Sequence, residues 1–359
     1  MKSIKHFLLA FIFTLPNFLF AQAPKYSNEF LSIGVGGRSL GMSNACVASI
    51  HDVTAGYWNP AGLLQMKSDM QLGLMHSEYF AGIAKYDYGA VARRIDTSSV
   101  FALSVIRFGV DNIPNTTELI DAAGNVNYDK ITQFSAADYA FVLSYARAPK
   151  IKGLHLGANA KIIRRIVGDF AGAWGFGLDA GAQYEHKGWK FGLMARDITT
   201  TFNAWNYSLT QEMQDVFAVT GNEIPTNSTE ITLPRLIFGA AKSIDLMKDL
   251  SLLTELNLDM TFDGMRNVLF QGNPLSGDPH LGIELGYKGM AFLRGGIMNI
   301  QREKNLTGKK SVTLQPNFGV GIKIKSISLD YARTDIGDQS VALYSHVFSV
   351  RLDINRQPK

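Results

Sequence analysis

The feature that most constrains this chain is an alternation of apolar with polar or very small residues, sustained over segments of about ten residues. Trp174, Phe176, Leu178, Ala180, Ala182 and Tyr184 interleave with Gly175, Gly177, Asp179, Gly181, Gln183 and Glu185. The same rhythm sets Leu252, Thr254, Leu256, Leu258, Met260 and Phe262 against Leu253, Glu255, Asn257, Asp259 and Thr261. It returns at 317–324 and 348–353. Less regular versions occupy 70–78, 86–94, 98–108, 135–146, 154–165, 189–199, 233–243, 279–287, 290–301 and 326–334, about 14 candidate strands in all. Successive side chains of a strand point to opposite faces, so each segment has one greasy and one hydrophilic face. Strands of soluble proteins run about 5–6 residues, whereas a tilted membrane-crossing strand needs about 9–11.

Long one-faced strands can pack as a soluble sandwich or propeller, or close into a barrel with the greasy face toward lipid. The hydrophilic face decides in favour of the barrel. Asp179, Glu255, Asp259, Glu284, Asp330 and Arg351 fall on it, the pattern of a hydrogen-bonded lumen, with Lys161, Arg164, Arg196 and Arg294 as their opposite charges. On the other face Tyr145, Tyr184, Trp189, Phe262, Tyr287 and Tyr344 stand toward strand ends, at lipid headgroup depth. Closure also removes the unpaired edges of so many strands. Helical membrane architectures are excluded by a mean hydropathy of +0.02 and by the lack of an 18-residue apolar run after residue 20. The single Cys46 excludes an internal disulfide. The expected fold is therefore all-β: a transmembrane antiparallel β-barrel of about 14 strands, to which the break in rhythm over residues 30–69 adds an N-terminal hatch or plug.

The start of the chain reads as an export signal. Lys2 and Lys5 precede an apolar stretch from Phe7 to Phe20 that ends at Ala21. The expected organisation is a signal peptide over 1–21, a hatch over 22–69, the barrel over 70–354 and a tail over 355–359, in the outer membrane of a Gram-negative bacterium. Without Lys2 and Lys5 the formal charge falls from +4 to +2, and no basic stripe suggests nucleic acid as a partner.

Connections fall into two classes. Lys187-Gly188, Lys288-Gly289 and Lys325-Ser326 read as tight turns, while 109–134, 200–232, 263–279 and 302–313 read as long outward loops. Within 200–232, Ser208–Val219 could form a short helix with Ser208 as its N-cap. Phe202, Trp205, Tyr207 and Phe217 in this stretch are candidate partner-binding residues, since buried aromatics dominate many interfaces.

Residues 30–69 break the rhythm and are the most specific part of the chain. Asn59-Pro60 followed by Gly62 is strong turn chemistry: Pro60 fixes φ, Asn59 can bond nearby backbone, and Gly62 tolerates positive φ. Trp58 and Leu63 are expected to pack inside the barrel, with Gly34, Gly36, Gly37 and Gly41 bringing backbone close to the wall. The residues Arg38, Ser39, Leu40, Gly41, Met42, Ala45, Val47, Ala48, Asp52, Ala55, Tyr57, Trp58, Asn59, Pro60, Ala61, Gly62 and Leu63 resemble the N-terminal signature of the PorV/PorQ family, itself related to FadL-type outer-membrane barrels. The chain departs from that signature at Ser43 and Asn44, where glycine is common. FadL-type barrels have 14 strands and an N-terminal plug.

Enzyme signals are weak. Gly37-Arg38-Ser39-Leu40-Gly41 matches G-x-S-x-G, but no βα units precede it. The seven histidines show no metal-ligand spacing, and no cofactor, metal or catalytic residue is expected. The resemblance implies a component of the type IX secretion system of the Bacteroidetes, with type IX proteins and cargo sorting domains as partners besides outer-membrane lipid. The alternative is a FadL-like transporter for hydrophobic small molecules, holding a ligand in the lumen near Trp58, Phe101, Leu103 and Phe292.

Overall fold

The alternating segments form strands because β-branched, aromatic and small residues fit a pleated surface whose two faces meet different solvents. The computed structural model describes residues 27–117, 119, 124–304, 310–335 and 344–355; the expected signal segment and most of the expected tail lie outside the described residues. The first six strands are β1 (Met70–Tyr79), β2 (Ala84–Arg94), β3 (Ser99–Asn115), β4 (Thr132–Arg147), β5 (Leu154–Val167) and β6 (Ala171–His186). There follow β7 (Trp189–Arg196), β8 (Thr201–Tyr207), β9 (Ser228–Thr232) and β10 (Arg235–Met247). The wall is completed by β11 (Leu250–Thr261), β12 (Ser276–Tyr287), β13 (Ala291–Lys304), β14 (Lys310–Ile324), β15 (Ile327–Asp335) and β16 (Tyr344–Ile354).

All pairings are antiparallel, and β1 closes on β16 with Leu74 opposite Val350. Two of the wall's crossings are split. Both β7 and β8 pair with β6, one with each half (Tyr184 opposite Phe191, Ala173 opposite Trp205), so they are parts of one crossing interrupted at 197–200. Asp197 and Thr200 take left-handed backbone angles there (φ 55° and 58°). The neighbouring crossing, β9 with β10, is interrupted at Leu233 and Pro234, where proline offers no N–H to a ladder. The sixteen segments thus make a closed barrel of fourteen crossings.

Lipid-facing positions stay exposed: Phe176, Phe191, Phe238, Leu256, Phe318 and Phe348 all point outward. The connections at 95–98, 148–153, 187–188, 248–249, 288–290 and 325–326 are short and share one end with the start of β1 and the close of β16. The opposite end carries the long connections 116–131, 208–227 and 262–275. Long loops mark the extracellular end of such barrels and short turns the periplasmic end.

Residues 27–69 fill the lumen and supply much of the buried core, including Phe30, Val35, Leu40, Ile50, Val53 and Trp58. The hatch runs around the inner wall from a short helix (Gly37–Gly41) through a turn at Met42–Ser49 to a second turn of helix (Ala55–Trp58) and a 3₁₀ segment (Pro60–Gln65). It seats where the wall lacks side chains. A Cβ at Gly192 would stand 2.5 Å from the carbonyl oxygen of Val47, and one at Gly282 would stand 2.6 Å from that of Met42. Glycines on the lumen face are therefore sockets for the hatch backbone.

Candidate functional site

The contacts that hold the hatch are charged and buried. The carboxylate of Glu255, fully buried on β11, accepts hydrogen bonds from the backbone N–H groups of Ala48 (2.7 Å) and Ser49 (3.1 Å). On β12, Glu284 lies between two guanidinium groups, Arg38 of the hatch at 3.0 Å and Arg294 of β13 at 2.6 Å. Arg294 reaches on to Asp330 at 2.7 Å. Across the barrel seam, Arg351 of β16 pairs with Asp52 of the hatch and donates to Ser328 Oγ at 3.1 Å. Removing one partner of a buried pair leaves an uncompensated charge and costs about 3–5 kcal/mol.

Asp179 faces the same lumen but serves the wall. It takes Lys161 at 2.7 Å, and Lys161 also meets Asp197 at 2.5 Å, beside the interruption between β7 and β8. Of the six polar residues expected in the lumen, Glu255, Glu284 and Arg351 bond the hatch, Asp330 supports Arg294, Asp179 braces the split crossing, and Asp259 lines a cavity.

The seventeen residues of the N-terminal signature are all buried in the hatch. Trp58 Nε1 donates to the Val35 carbonyl at 2.8 Å, Tyr57 bonds the Leu31 carbonyl, and Arg196 lies over both rings, 4.5 Å from Tyr57 and 5.5 Å from Trp58. Asn59 Nδ2 donates to the carbonyls of Val47 and Ala182, both at 3.0 Å, joining hatch to wall. Arg38 meets Glu284, Leu40 packs in the core, and Gly41 lies backbone to backbone against Gly319, while the Met42 carbonyl fits Gly282. Pro60 opens the 3₁₀ segment, with Ala61 N–H donating to Asn59 Oδ1 at 3.3 Å. Gly62 does not take the positive φ expected of it; it is needed because the Ile50 carbonyl occupies the space of a Cβ. Ser43 and Asn44 do stand in the left-handed region (φ 53° and 64°), the backbone state glycine adopts freely.

Within the hatch, burial and the nearby Arg38 guanidinium push His51 down to about 4, so its imidazole is neutral, with Nδ1 donating to the Ser49 carbonyl at 2.9 Å. Burial pushes the Asp52 carboxyl up, yet Arg351, His51 and the Thr54 hydroxyl together hold it well below the usual carboxylate range. Burial and the Glu255 charge push the Cys46 thiol far up, which makes it unreactive in place.

On the loop side of the hatch lies a cavity of about 190 Å³. Trp58, Val47, Ile237 and Met298 give it an apolar side; Arg196, Arg235, Asn257, Asp259 and His280 give it a polar one. His280 is held by the Ser43 carbonyl (3.0 Å) and by Asp278 (3.5 Å), and Arg235 donates to Ser32 Oγ at 3.4 Å. A smaller cavity of about 40 Å³ at the interruption of the wall shares Arg196 and Arg235 with it. No group of three potential metal ligands occurs among the described residues. Ser39 is buried in the Gly37–Gly41 helix rather than at a strand-to-helix elbow.

Several expectations are corrected. Phe202, Trp205 and Tyr207 are not in a loop but on β8: Phe202 points to lipid, and Trp205 is buried beneath the Arg165 guanidinium at 4.9 Å. The stretch hid its alternation because Thr201 and Asn203 are its lumen-facing residues. Only Phe217 lies in the outward connection, on a helix Gln211–Val219 capped by Thr210, not Ser208. Phe101 and Leu103 face lipid instead of the lumen. The long loops are shorter than expected, because β3 continues to Asn115 and β12 starts at Ser276. Sequence reasoning missed the wall glycines as sockets and the lumen amides Asn159, Gln183 and Asn317 that bond the hatch; their inward place in the alternation was the available signal.

No family model matches the sequence, and no curated protein matches it. Solved outer-membrane structures do share the fold. The P. putida toluene transporter TodX superposes with a TM-score of 0.55 at 11% identity, over 90% of this chain and 99% of that one. For the monoaromatic hydrocarbon channel CymD the figures are 0.53 and 12%, over 90% and 98%. A Pseudomonas aeruginosa FadL homologue gives 0.51 and 12%, over 89% and 98%. At such identities the likeness is one of fold: this chain has the plugged-barrel architecture of FadL-type outer-membrane proteins.

Proposed function

We propose that this protein is an outer-membrane channel of the FadL type that admits a small amphiphilic molecule to the lumen and releases it when the hatch shifts. The observation that carries this reading is the two-sided cavity above the hatch, with Trp58, Val47, Ile237 and Met298 for an apolar body and Arg196, Arg235, Asp259 and His280 for a polar end. The hatch below is held by reversible polar contacts, and apart from its continuation into β1 no disulfide ties it to the wall within the described residues. TodX and CymD are described as a toluene transporter and a hydrocarbon channel, which supports passage of small molecules with an apolar part. The test is uptake into proteoliposomes of paired solutes, an aromatic hydrocarbon and the same ring bearing a polar group. Faster entry of the substituted ring, reduced by Arg235→Leu, is the expected result; equal leak into protein-free liposomes sinks the reading.

A second reading, docking of type IX cargo or partners as the PorV/PorQ resemblance implies, is favoured by apolar residues exposed at the loop end: Val126, Tyr128, Val219, Met265 and Phe270. The signature that carries the resemblance is spent on hatch packing, so it speaks for the plug and not for a partner. Recovery of sorting-domain proteins on the purified barrel, lost on substituting Tyr128 and Met265 by Asp, would support docking.

A further inference from the structure

The lipid-facing wall is indented at one place near the hatch's seat. A groove of about 450 Å³ runs over β6, β7, β10 and β11, floored by Ala182, Gly192, Gly239 and Ala240 and flanked by Phe191 and Leu256. The indentation lies where the outward side chains are only the methyls of Ala182 and Ala240, between larger neighbours, while Gly192 and Gly239 face the lumen and accept Val47 there. Register places Tyr184, Phe191, Ala240 and Leu256 side by side, with Ala182, Leu193, Phe238 and Leu258 in the next outward row.

The row above, toward the periplasmic turn at 187–188, changes character. His186, Trp189 and Lys242 stand together there, the last pair of the β6–β7 hairpin being His186 and Trp189. Lys242 Nζ lies 5.0 Å from the Trp189 ring centre and 3.4 Å from the Lys187 carbonyl, and no carboxylate pairs with it among the described residues. An ammonium without a counter-ion thus caps an apolar groove at the depth where the fatty tails of a bilayer give way to phosphate.

We propose that this groove is a phospholipid site: one acyl chain lies along Ala182, Ala240 and the two glycines, and the phosphate sits at Lys242. The periplasmic position selects a phospholipid over the lipid A of the outer leaflet. A pocket of this size fits most of one chain, and its charge is complementary to the headgroup. The site stands apart from the lumen, so it does not depend on what the barrel transports.

The test uses the full-length barrel in mild detergent, stripped of lipid and titrated with phosphatidylethanolamine under native mass spectrometry. Wild type should retain one phospholipid. Ala240→Trp, which fills the groove, should lose it; Lys242→Ala should bind it roughly fivefold more weakly; Val320→Trp, on the lipid face of β14, should behave as wild type. Equal retention by A240W and V320W, preference for lipid A, or occupation by a second copy of the chain overturns the proposal. A phosphatidylethanolamine with a photoreactive acyl chain gives a readout without substitution. Its label should concentrate on β7 and β10, and an even spread around the barrel overturns the site.

Discussion

At the scale of residues, the hatch depends on atoms that are absent as much as on those present. Gly192 cannot gain a side chain without displacing Val47, so Gly192→Leu should lift the hatch while leaving the outer wall closed. Cys46, the sole cysteine and fully buried, reports this directly: a maleimide should label it in G192L and leave folded wild type unlabelled. Trp58→Ala, deleting the largest side chain of the hatch core, should cost about 3–5 kcal/mol of stability, read from the denaturation midpoint. Acid should act through His51. Its folded value of about 4 lies below the ordinary 6.5, so the unfolded chain binds the extra proton between them. Stability from this residue is complete above pH 6.5 and declines as the pH falls toward 4, with Asp52 adding a further loss below its ordinary 3.8. Thermal unfolding against pH should show that slope, and His51→Gln should flatten it in the upper window. The sequence displayed the charged residues of this lumen, because Glu255 or Arg351 on an alternating strand can only face inward. It did not display their partners: Arg38 meets Glu284 across 246 positions, a pairing fixed by closure and not by spacing.

At the scale of elements, long regular strands such as β6 and β11 were legible from period alone, and the short pieces β8 and β9 were not. Five to seven residues flanked by polar turns look like loop, and their membership of the wall comes from pairing with β6 and with each other. The helix Gln211–Val219 lies between them in the long connection and makes no part of the wall. Replacing 209–226 by a short glycine-serine linker should therefore leave the barrel folded. Heat-modifiable migration on gels should match wild type, and a barrel that no longer shifts would show that this connection is structural.

At the scale of the molecule, a stopped tube should not conduct. Wild type in planar bilayers should show no steady ion current, whereas a variant lacking residues 27–66 should open stable conductance through a lumen lined by Glu255, Glu284, Arg294 and Asp330. The closure was foreseeable from the hydrophilic face of about fourteen one-faced strands, which left the sandwich behind, and the plug from the break of that rhythm at 30–69 and the signature it carries. The cavity above the plug was not, because it collects side chains from five strands, one outward connection and the hatch.

The hatch also touches both strands of the seam, through Val53 against Gly73 on β1 and through Asp52 and Gly37 against Arg351 and Ser349 on β16. It continues directly into β1 and lies buried inside the closed wall. A cork of that shape cannot be pushed into a finished bottle. When the hatch is present, the sheet closes around it, and the first and last strands meet over contacts they both make with it.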